Sequence, residues 1–200
     1  MTPSLILLLA YIIGSIPFGY VLVRFKTGED VRSMGSGNIG ATNVLRTTGR
    51  LIAAATLALD IAKGFFAVWL MAKFSGDSRL WMSAAALAVM AGHAYPVFLK
   101  FQGGKAVASF IGAFLCLTPV PMAAALVLFA IVAAASKHVS MGSIVLAGSL
   151  PLGAYFIEHP PAVVLITTLA AAAFIIYRHK ENIARIRAGT EYVLRLGTRK

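Results

Sequence analysis

Residues 51–72 read LIAAATLALDIAKGFFAVWLMA, and Asp60 and Lys63 are the only charged residues in this stretch. A transmembrane helix needs about 20 consecutive, mainly apolar residues, and residues 51–72 meet that length. Asp60 and Lys63 are three positions apart, so they share one face of a helix, where opposite charges neutralise each other within a bilayer. The stretch therefore predicts a membrane-spanning helix with an internal ion pair. That pair could hold helices together or support a nearby site.

The rest of the chain repeats this apolar pattern. Of its 200 residues, 59% are hydrophobic and 12% are charged, whereas soluble domains contain about 25% charged residues. Apolar runs follow one another with short polar breaks, which predicts one all-α, polytopic membrane domain over residues 1–200 with about seven spans. The expected spans are residues 4–23, 51–72, 80–98, 106–117, 120–135, 143–157 and 162–177. The fourth is too short to cross a bilayer, so it must be buried, extended at its ends or re-entrant.

Basic residues are concentrated in the loops that seven spans would place on one side of the membrane. The opposite side has only Lys73 and Arg79, so the positive-inside rule places the N-terminus outside and the C-terminus in the cytoplasm. The tail from Arg178 onward mixes basic and apolar residues, as an amphipathic helix on anionic lipid does. The basic residues expected on the cytoplasmic side are Arg24, Lys26, Arg32, Arg46, Arg50, Lys100, Lys105, Lys137, Arg178, Lys180, Arg185, Arg187, Arg195, Arg199 and Lys200.

The formal net charge of +11 favours anionic partners. Aromatic residues lie in the apolar runs rather than among the basic residues, which favours membrane lipid and an anionic substrate over nucleic acid. The single cysteine, Cys116, excludes an intramolecular disulfide and a multi-cysteine metal cluster. We expect neither a metal nor a cofactor, and the sequence does not indicate an oligomeric state.

A first glycine-rich segment follows the first expected span. Gly35, Gly37 and Gly40 fit the spacing G-x-G-x-x-G, but no buried strand precedes them, so a dinucleotide site is not predicted. A glycine-rich turn nevertheless exposes backbone N–H groups that bind anionic oxygens. We name residues 35–46 the first glycine loop; a flexible polar linker is the alternative interpretation. Its polar candidates for anion binding are Ser36, Asn38, Thr42, Asn43 and Arg46.

A second segment, Gly103-Gly104-Lys105, precedes the fourth expected span, and we name residues 103–105 the second glycine loop. Glycine N–H groups at a helix start and a nearby lysine are typical of phosphate binding, although the full P-loop spacing is missing. A glycine hinge with a snorkelling lysine is equally common. His93, ten residues upstream of Gly103, is more typical of a packing histidine when taken alone. Residues 137–143 and 178–183 bring further hydroxyl, imidazole, amide and cationic groups to the same expected face.

With these four segments, the sequence resembles the bacterial membrane glycerol-3-phosphate acyltransferases that use acyl phosphate as donor, along essentially the whole chain. Residues 35–46 are similar to that family's first motif and residues 93–105 to its second. His179 to Asn182, with Gly189 and Glu191, are similar to its third. Ala106 departs from the pattern, because the family often has glycine after Gly-Gly-Lys. No histidine is followed five residues later by aspartate, so the signature of another acyltransferase class is missing.

The resemblance implies an enzyme that transfers a fatty acyl group from acyl phosphate to glycerol 3-phosphate. The products would be 1-acylglycerol 3-phosphate, which is lysophosphatidic acid, and phosphate; this is the first acylation step of phospholipid synthesis, at the bacterial inner membrane. Catalytic roles are expected for Ser36, His93 and Lys105. Substrate-binding roles are expected for Gly37, Asn38, Gly40, Thr42, Asn43, Arg46, Gly103, Gly104, Ser143, His179 and Asn182.

As a hypothesis, two groups of these residues divide the substrates. The phosphate of glycerol 3-phosphate would be held by Arg46, Lys105, Ser143, His179 and Asn182. Ser36, Gly37, Asn38 and nearby amides would receive the acyl phosphate group, and the base would be His93 or a substrate phosphate oxygen. No acidic residue close to His93 is expected to complete a catalytic set with Ser36, which favours direct transfer.

An organic-phosphate transporter is the rival interpretation, because it would need a similar basic, glycine-rich entrance. Transporters usually bind substrate near the midplane, between internal repeats. No repeat is evident here, and the polar segments cluster at one expected face. A lipid-binding scaffold without catalysis ranks third, because it would need fewer phosphate-type donors.

Overall fold

The computed structural model describes residues 2–193, which form α-helices and short turns and contain no β-strand. The all-α prediction is therefore confirmed for the part of the chain that is described. The helices are α1 (Pro3–Ser15), α2 (Phe18–Thr27), α3 (Ala41–Thr47), α4 (Arg50–Ser75), α5 (Arg79–Ala94), α6 (Val107–Leu117), α7 (Pro119–Ser136), α8 (Val139–Gly153), α9 (Ala162–Arg178) and α10 (Lys180–Arg187). Short helical turns are formed by Val31–Ser33, Val97–Leu99 and, in a π-helical segment, Ala154–Glu158.

Five segments are long and apolar enough to cross a membrane: Pro3–Thr27, Arg50–Ser75, Arg79–Leu99, Pro119–Ser136 and Val139–Glu158. A sixth consists of α9 and α10, which meet at an angle of 57°. The expected fourth span is α6, whose 11 residues extend about 16 Å at 1.5 Å per residue. Most of its side chains, from Ser109 to Phe114, are buried by the surrounding helices. Burial is therefore how this short helix is accommodated, while the count of seven spans and the orientation stay predictions.

The first expected span is interrupted between α1 and α2. Proline lacks a backbone N–H, and Pro17 breaks the helix after Ile16. The carbonyl of Ile16 accepts a hydrogen bond of 2.7 Å from the Lys63 ammonium on α4. The intramembrane lysine thus satisfies a backbone group that the helix break leaves without its usual partner.

Two helix pairs approach each other at backbone distance. A Cβ added at Gly64 on α4 would lie 2.1 Å from the carbonyl oxygen of Ser109, and one at Gly112 on α6 would lie 1.9 Å from that of Ile61. Glycines at Gly14 and Gly92 allow a similar approach between α1 and α5. Small residues permit such contact between membrane helices, where close packing replaces the hydrophobic effect as the source of association. This packing brings α4, α5 and α6 together beneath the second glycine loop.

A smaller apolar cluster anchors the first glycine loop. Val31, Ile39 and Val44, which lie in or beside the loop, pack with Val23 and with Ala53 at the start of α4. The main core lies farther along the helices and includes buried side chains of α5, α6, α8 and α9. The loop is therefore fixed to the ends of α2 and α4 rather than being a flexible linker.

The tail begins as expected with a helix, α10, but it is not only a surface element. Asn182 in α10 and Glu191 beyond it are buried against the rest of the protein. The expected basic residues Arg195, Arg199 and Lys200 lie outside the described residues. The described part of the tail thus closes over the cavity that is considered next.

Candidate functional site

Two cavities meet at the end of the bundle where the loops cluster. The larger, of about 580 Å³, is bounded by apolar side chains of α4, α6 and α7 and ends among polar residues. The smaller, of about 430 Å³, has a mainly polar lining. Residues that line both cavities are Ser36, Asn38, Lys105 and Arg185. A molecule with an apolar chain and a charged group could therefore occupy both cavities with its two ends.

Most of the predicted site residues line one or both of these cavities. The larger cavity is lined by Ser36, Asn38, Gly40, Thr42, Asn43, Arg46, His93, Lys105, Ser143, His179 and Asn182. The smaller is lined by Ser36, Gly37, Asn38, Gly103 and Lys105. Gly104 lines neither and is buried beside His93.

The first glycine loop is organised by one buried side chain, Asn43. Its Oδ1 accepts from the backbone N–H of Ser36 at 2.8 Å, and its Nδ2 donates to the carbonyls of Val31, Met34 and Asn38. Gly35 and Gly37 have φ angles of +58° and +71°, which suit glycine because they lie in the left-handed region. Asn43 therefore shapes the loop, and its amide is occupied within the protein rather than offered to a ligand.

The first glycine loop keeps both side-chain and backbone donors for a ligand. The N–H of Gly37 donates to Met34 and that of Gly40 donates to the Asn38 side chain, so these two backbone groups are already paired. The Ser36 hydroxyl forms no hydrogen bond among the described residues, and Asn38 keeps its amide N–H groups. The expectation that Gly37 and Gly40 themselves donate N–H groups to an anion is thus corrected, whereas the N–H groups of Asn38 and Ile39 form no hydrogen bond among the described residues.

The second glycine loop departs further from the phosphate-loop expectation. The N–H of Gly103 donates to the carbonyl of Ala94, and the N–H of Gly104 donates to that of His93. A Cβ at Gly103 would lie 2.2 Å from the carbonyl oxygen of His93, and one at Gly104 would lie 2.2 Å from its Nε2. Glycine is required at both positions because the backbone passes close to His93. Both N–H groups are hydrogen-bonded within the protein, so neither is available to an anion. Lys105 is the residue of this loop whose cationic side chain lines both cavities.

Ala106 follows Lys105 and has a φ angle of +62°, in the left-handed region. Non-glycine residues adopt this conformation at some energetic cost, whereas glycine does so freely. This backbone geometry accounts for the glycine that the similar family often has at this position. It also marks the sharp turn that directs Lys105 before α6 begins at Val107.

His93 belongs to a buried polar cluster that links three helices. The Asp60 carboxylate forms a 2.8 Å ion pair with Lys63, and its Oδ1 is 3.7 Å from Nδ1 of His93. The same Nδ1 is 3.1 Å from the hydroxyl of Ser109 on α6. The expectation that no acidic residue lies near His93 is therefore wrong, because helix packing brings Asp60 beside it. Both ring nitrogens of His93 face protein groups, Nδ1 toward Ser109 and Nε2 toward Gly104.

A second network surrounds Lys105. The ammonium donates to Oδ1 of Asn182, whose Nδ2 donates to Oε1 of Glu191 at 2.7 Å. Glu191 also accepts from Ser140 at 2.8 Å and from Nε of Arg185 at 2.8 Å. Glu191 therefore joins α8, α10 and, through Asn182, the second glycine loop.

Arg46 lies at the opposite side of this network. Its guanidinium is 4.7 Å from the ring centre of Tyr192 and forms no salt bridge among the described residues. A stacked guanidinium keeps its hydrogen-bond donors free for an anion, since the contact uses only the face of the group. Arg46 is consequently a cation without a bound carboxylate at the edge of the larger cavity.

Ser143 and His179 line the larger cavity, and each already forms one hydrogen bond within the protein. The Ser143 hydroxyl donates to the carbonyl of Val139 at 2.9 Å, so a contact with phosphate requires it to exchange that bond. Nδ1 of His179 donates to the carbonyl of Ile175 at 2.8 Å, which leaves Nε2 for a ligand. Nε2 donates to a phosphate oxygen only when the ring is protonated, and a nearby dianion favours that form.

The pKa values of the ionisable groups at the polar end of the larger cavity are shifted by burial and by neighbouring charges. Burial, together with the nearby charge of Arg185, lowers the pKa of Lys105 to about 8. Burial also lowers the pKa of Arg46. For Glu191, burial raises the pKa, but hydrogen bonds from Asn182, Ser140 and Arg185 outweigh it, so the net pKa is lowered. The polar end at neutral pH therefore carries the cations Lys105, Arg46 and Arg185 around the ionised carboxylate of Glu191.

Several residues of this site were not predicted to take part in it. Ser109, Ser140, Arg178, Arg185 and Tyr192 had no assigned role, and Glu191 had been noted only as part of a motif. For Glu191 a signal was available, because it is an isolated carboxylate within a basic segment. Ser140 lies in the segment 137–143 that was expected at this face, but only Ser143 was selected from it. For Ser109 no signal was available, because a serine within an apolar helix is usually bonded to its own backbone.

The sequence matches the model of a family described as glycerol-3-phosphate acyltransferase over residues 4–189. A glycerol-3-phosphate acyltransferase of Geobacter sulfurreducens is 46% identical over 182 residues, covering 91% of this chain and 92% of that protein. One of Desulforamulus reducens is 42% identical over 200 residues, covering 100% of this chain and 98% of that protein.

Two crystal structures of PlsY (YgiH), an integral membrane glycerol 3-phosphate acyltransferase, have the same fold. Its glycerol 3-phosphate form has a TM-score of 0.91 at 35% identity and covers 96% of each chain. Its lysophosphatidic acid form has a TM-score of 0.88 at 33% identity and covers 96% of this chain and 95% of that one. The similarity thus extends over both cavities and the helices that form them.

Proposed function

Because this chain belongs to the glycerol-3-phosphate acyltransferase family, we propose that acyl phosphate is its donor and that lysophosphatidic acid and phosphate are its products. The chain is an integral membrane enzyme of the PlsY type. One observation supports the finer assignment most strongly: an apolar cavity and a polar cavity meet at Ser36, Asn38, Lys105 and Arg185. Acyl phosphate has the matching shape, with a hydrocarbon chain at one end and a small dianion at the other.

The two phosphate groups of the reaction fit separate cavities. Residues assigned to glycerol 3-phosphate, namely Arg46, Ser143, His179 and Asn182, line the larger cavity and not the smaller one. Gly37, assigned to the acyl phosphate group, lines only the smaller cavity. Lys105 lies at the junction and is shared. This separation supports a ternary complex in which both substrates are bound before the acyl group moves.

The hydrocarbon chain would lie along the apolar part of the larger cavity. That part is bounded by one face of α4, one face of the short helix α6 and two residues of α7. The side chains that line it include Ala53, Leu57, Ile61, Ile111, Leu115, Leu126 and Phe129. A chain in this position would place its carbonyl carbon toward the polar junction.

The proposed chemical step is a direct transfer. A hydroxyl oxygen of glycerol 3-phosphate forms a bond to the acyl carbon, and the bond from that carbon to the bridging phosphate oxygen breaks. The departing phosphate takes the electron pair, while the hydroxyl proton passes to a substrate phosphate oxygen. Such an oxygen is carried by the substrates themselves; the alternative base is His93, which lines the larger cavity and whose Nε2 forms no hydrogen bond among the described residues. Lys105, Ser36 and Asn38 would stabilise the charge that develops at the junction.

The donor assignment is tested with purified protein and radiolabelled glycerol 3-phosphate. Acyl phosphate should support formation of lysophosphatidic acid with equimolar phosphate release, and acyl-coenzyme A should not. Ser36→Ala protein, purified in parallel, controls for contaminating host enzymes. Comparable rates with both donors would contradict the proposed donor, and uptake of glycerol 3-phosphate into vesicles without acylation would favour the transporter interpretation.

We also propose that the enzyme lies in the bacterial inner membrane with its site facing the cytoplasm. Basic residues are concentrated on the face that carries the site, as the positive-inside rule requires for that orientation. With Cys116 replaced, single cysteines at Gly76 and Ser33 provide the test. An impermeant thiol reagent should label position 76 in intact cells and position 33 only after permeabilisation, and the opposite result would reverse the orientation.

A further inference from the structure

The smaller cavity contains more positive charge than the proposed transfer step needs. Four cations line it, namely Lys105, Arg178, Lys180 and Arg185, against one carboxylate, Glu181. Arg185 is paired with Glu191 and Lys105 is hydrogen-bonded to Asn182, so both belong to the network described above. Arg178 and Lys180 have no part in that network.

Arg178 is held in place with some of its donors unused. Its Nη2 donates to the carbonyl of Gly104 at 2.8 Å, and its guanidinium is 5.0 Å from the ring centre of Tyr95. Its Nε is buried and donates no hydrogen bond among the described residues. Because Nε is buried, an anion in the cavity does not reach it. Arg178 is a candidate anion ligand because the residue lines the cavity and forms no salt bridge among the described residues.

Lys180 completes the cavity on its exposed side. Its ammonium is 5.2 Å from the ring centre of Tyr177 and forms no salt bridge among residues 2–193. Because the side chain is exposed, it lies where the cavity meets water. An anion in the cavity would therefore pass this lysine on its way into solution.

The two products of the proposed reaction need different routes. Lysophosphatidic acid carries a hydrocarbon chain and leaves into lipid, whereas phosphate is a small dianion that can leave only into water. The smaller cavity lacks the apolar wall of α4, α6 and α7. Apart from the shared Lys105, it also lacks the residues assigned to glycerol 3-phosphate. A phosphate released at the junction is thus already inside a cationic cavity that excludes the other product.

We propose that the smaller cavity is an exit chamber for inorganic phosphate, in which Arg178 and Lys180 bind the departing anion. This inference rests on the proposed function, since it takes phosphate to be the leaving group. A cationic route attracts the dianion away from the junction, and its exposure to water keeps the affinity low enough for release. Because the acyl phosphate group occupies the same chamber before transfer, added phosphate competes with acyl phosphate and not with glycerol 3-phosphate.

The test is product inhibition by inorganic phosphate, with Lys180→Ala compared with the unchanged protein. Removal of one exposed charge should raise the inhibition constant for phosphate and the KM for acyl phosphate about two- to five-fold, with the KM for glycerol 3-phosphate unchanged. Lys180→Arg should restore the unchanged values. Lys26→Ala is the matched control, because Lys26 is also exposed and basic but lines neither cavity.

Two results would overturn the exit chamber. One is phosphate inhibition that competes with glycerol 3-phosphate, and the other is an inhibition constant that Lys180→Ala and Lys180→Glu both leave unchanged. Either result, obtained while acyl phosphate still supports turnover, would leave the proposed function standing. Absence of turnover with acyl phosphate would instead contradict the proposed function itself.

Discussion

The two glycine loops meet at the junction of the cavities, yet their glycines serve different purposes. In the first loop, Gly35 and Gly37 adopt left-handed conformations, and Asn43 ties the turn together from inside. In the second loop, Gly103 and Gly104 are needed because His93 lies where a Cβ would be. The first loop is thus shaped by its own turn, whereas the second is shaped by the helix packing beneath it.

This difference determines how each loop binds an anion. The first loop presents several side chains to the cavities, including Ser36 and Arg46. Their positions are set mainly by contacts within the loop. The second presents only Lys105, whose position depends on His93 below and on Asn182 beside it. A pattern of glycines therefore predicts a backbone where a side chain is not tolerated. The surrounding structure decides whether the reason is a left-handed φ angle or a close contact.

The largest effect expected from this comparison concerns Lys63, which lies below the second loop. Lys63→Met leaves the buried Asp60 carboxylate without its partner, which should lower the free energy of unfolding by about 3–5 kcal/mol. The double variant Asp60→Asn/Lys63→Met removes both charges and should be markedly less destabilised. Thermal unfolding in detergent measures both. Equal destabilisation of the single and double variants would show that the charge pairing is not the cause.

Within the first loop, the largest effect is expected for Ser36. Ser36→Ala removes a hydroxyl that we propose donates to developing charge, so kcat should fall about 10²–10³-fold while the fold is unaffected. The transfer is predicted to be direct, so acyl phosphate alone should give no burst of phosphate and initial rates should show a ternary-complex pattern. Mass spectrometry that detects an acyl group on Ser36 would contradict the direct mechanism but not the enzyme class.

The close contact in the second loop predicts a smaller but specific effect. Gly104→Ala places a methyl group against Nε2 of His93 and should displace Lys105, lowering kcat/KM about 10²-fold. In the double variant with His93→Ala, the methyl group gains space, so part of the activity should return. Gly148→Ala serves as a control, because Gly148, like Gly104, has no positive φ but has no atom near its added Cβ. No recovery in the double variant would mean that contact with His93 is not the reason for glycine.

These contrasts also show how far the sequence was informative. Each expected span falls on a helix, and Pro17 interrupts the first one where a helix cannot continue, because both features follow from local composition. The contact between Asp60 and His93 was not predicted, because it depends on the packing of α4 against α5, two helices that a motif does not relate. The pairing of the loop N–H groups was missed for the same reason: backbone partners such as the carbonyl of Ala94 are not visible in a motif.

The role of Glu191 shows a second limit. Its residue type suggests a charged surface group, but it accepts hydrogen bonds from α8 and α10 at once. Only the bend between α9 and α10 places it there. The sequence therefore identified two of the cations that line the cavities, Arg46 and Lys105, but not the carboxylate that holds the network together.

The smallest effect in this comparison is a difference between the two loops in how their cations respond to pH. Burial lowers the pKa of Lys105 to about 8, so its ammonium is present below pH 8 and is lost as the pH rises through that value. Burial lowers the pKa of Arg46, the main cation of the first loop, but a guanidinium is a far stronger base than an ammonium, so Arg46 remains charged throughout this range. The KM for glycerol 3-phosphate should therefore rise above pH 8, by up to about tenfold per pH unit. A bound phosphate dianion raises the pKa of Lys105, so the rise in KM begins at a higher pH when substrate is bound. Lys105→Arg should keep the KM constant to higher pH, and Arg46→Lys should leave the inflection near 8. An identical pH profile in the unchanged protein and in Lys105→Arg would assign the titration to another group and remove Lys105 as the pH-sensitive element of the second loop.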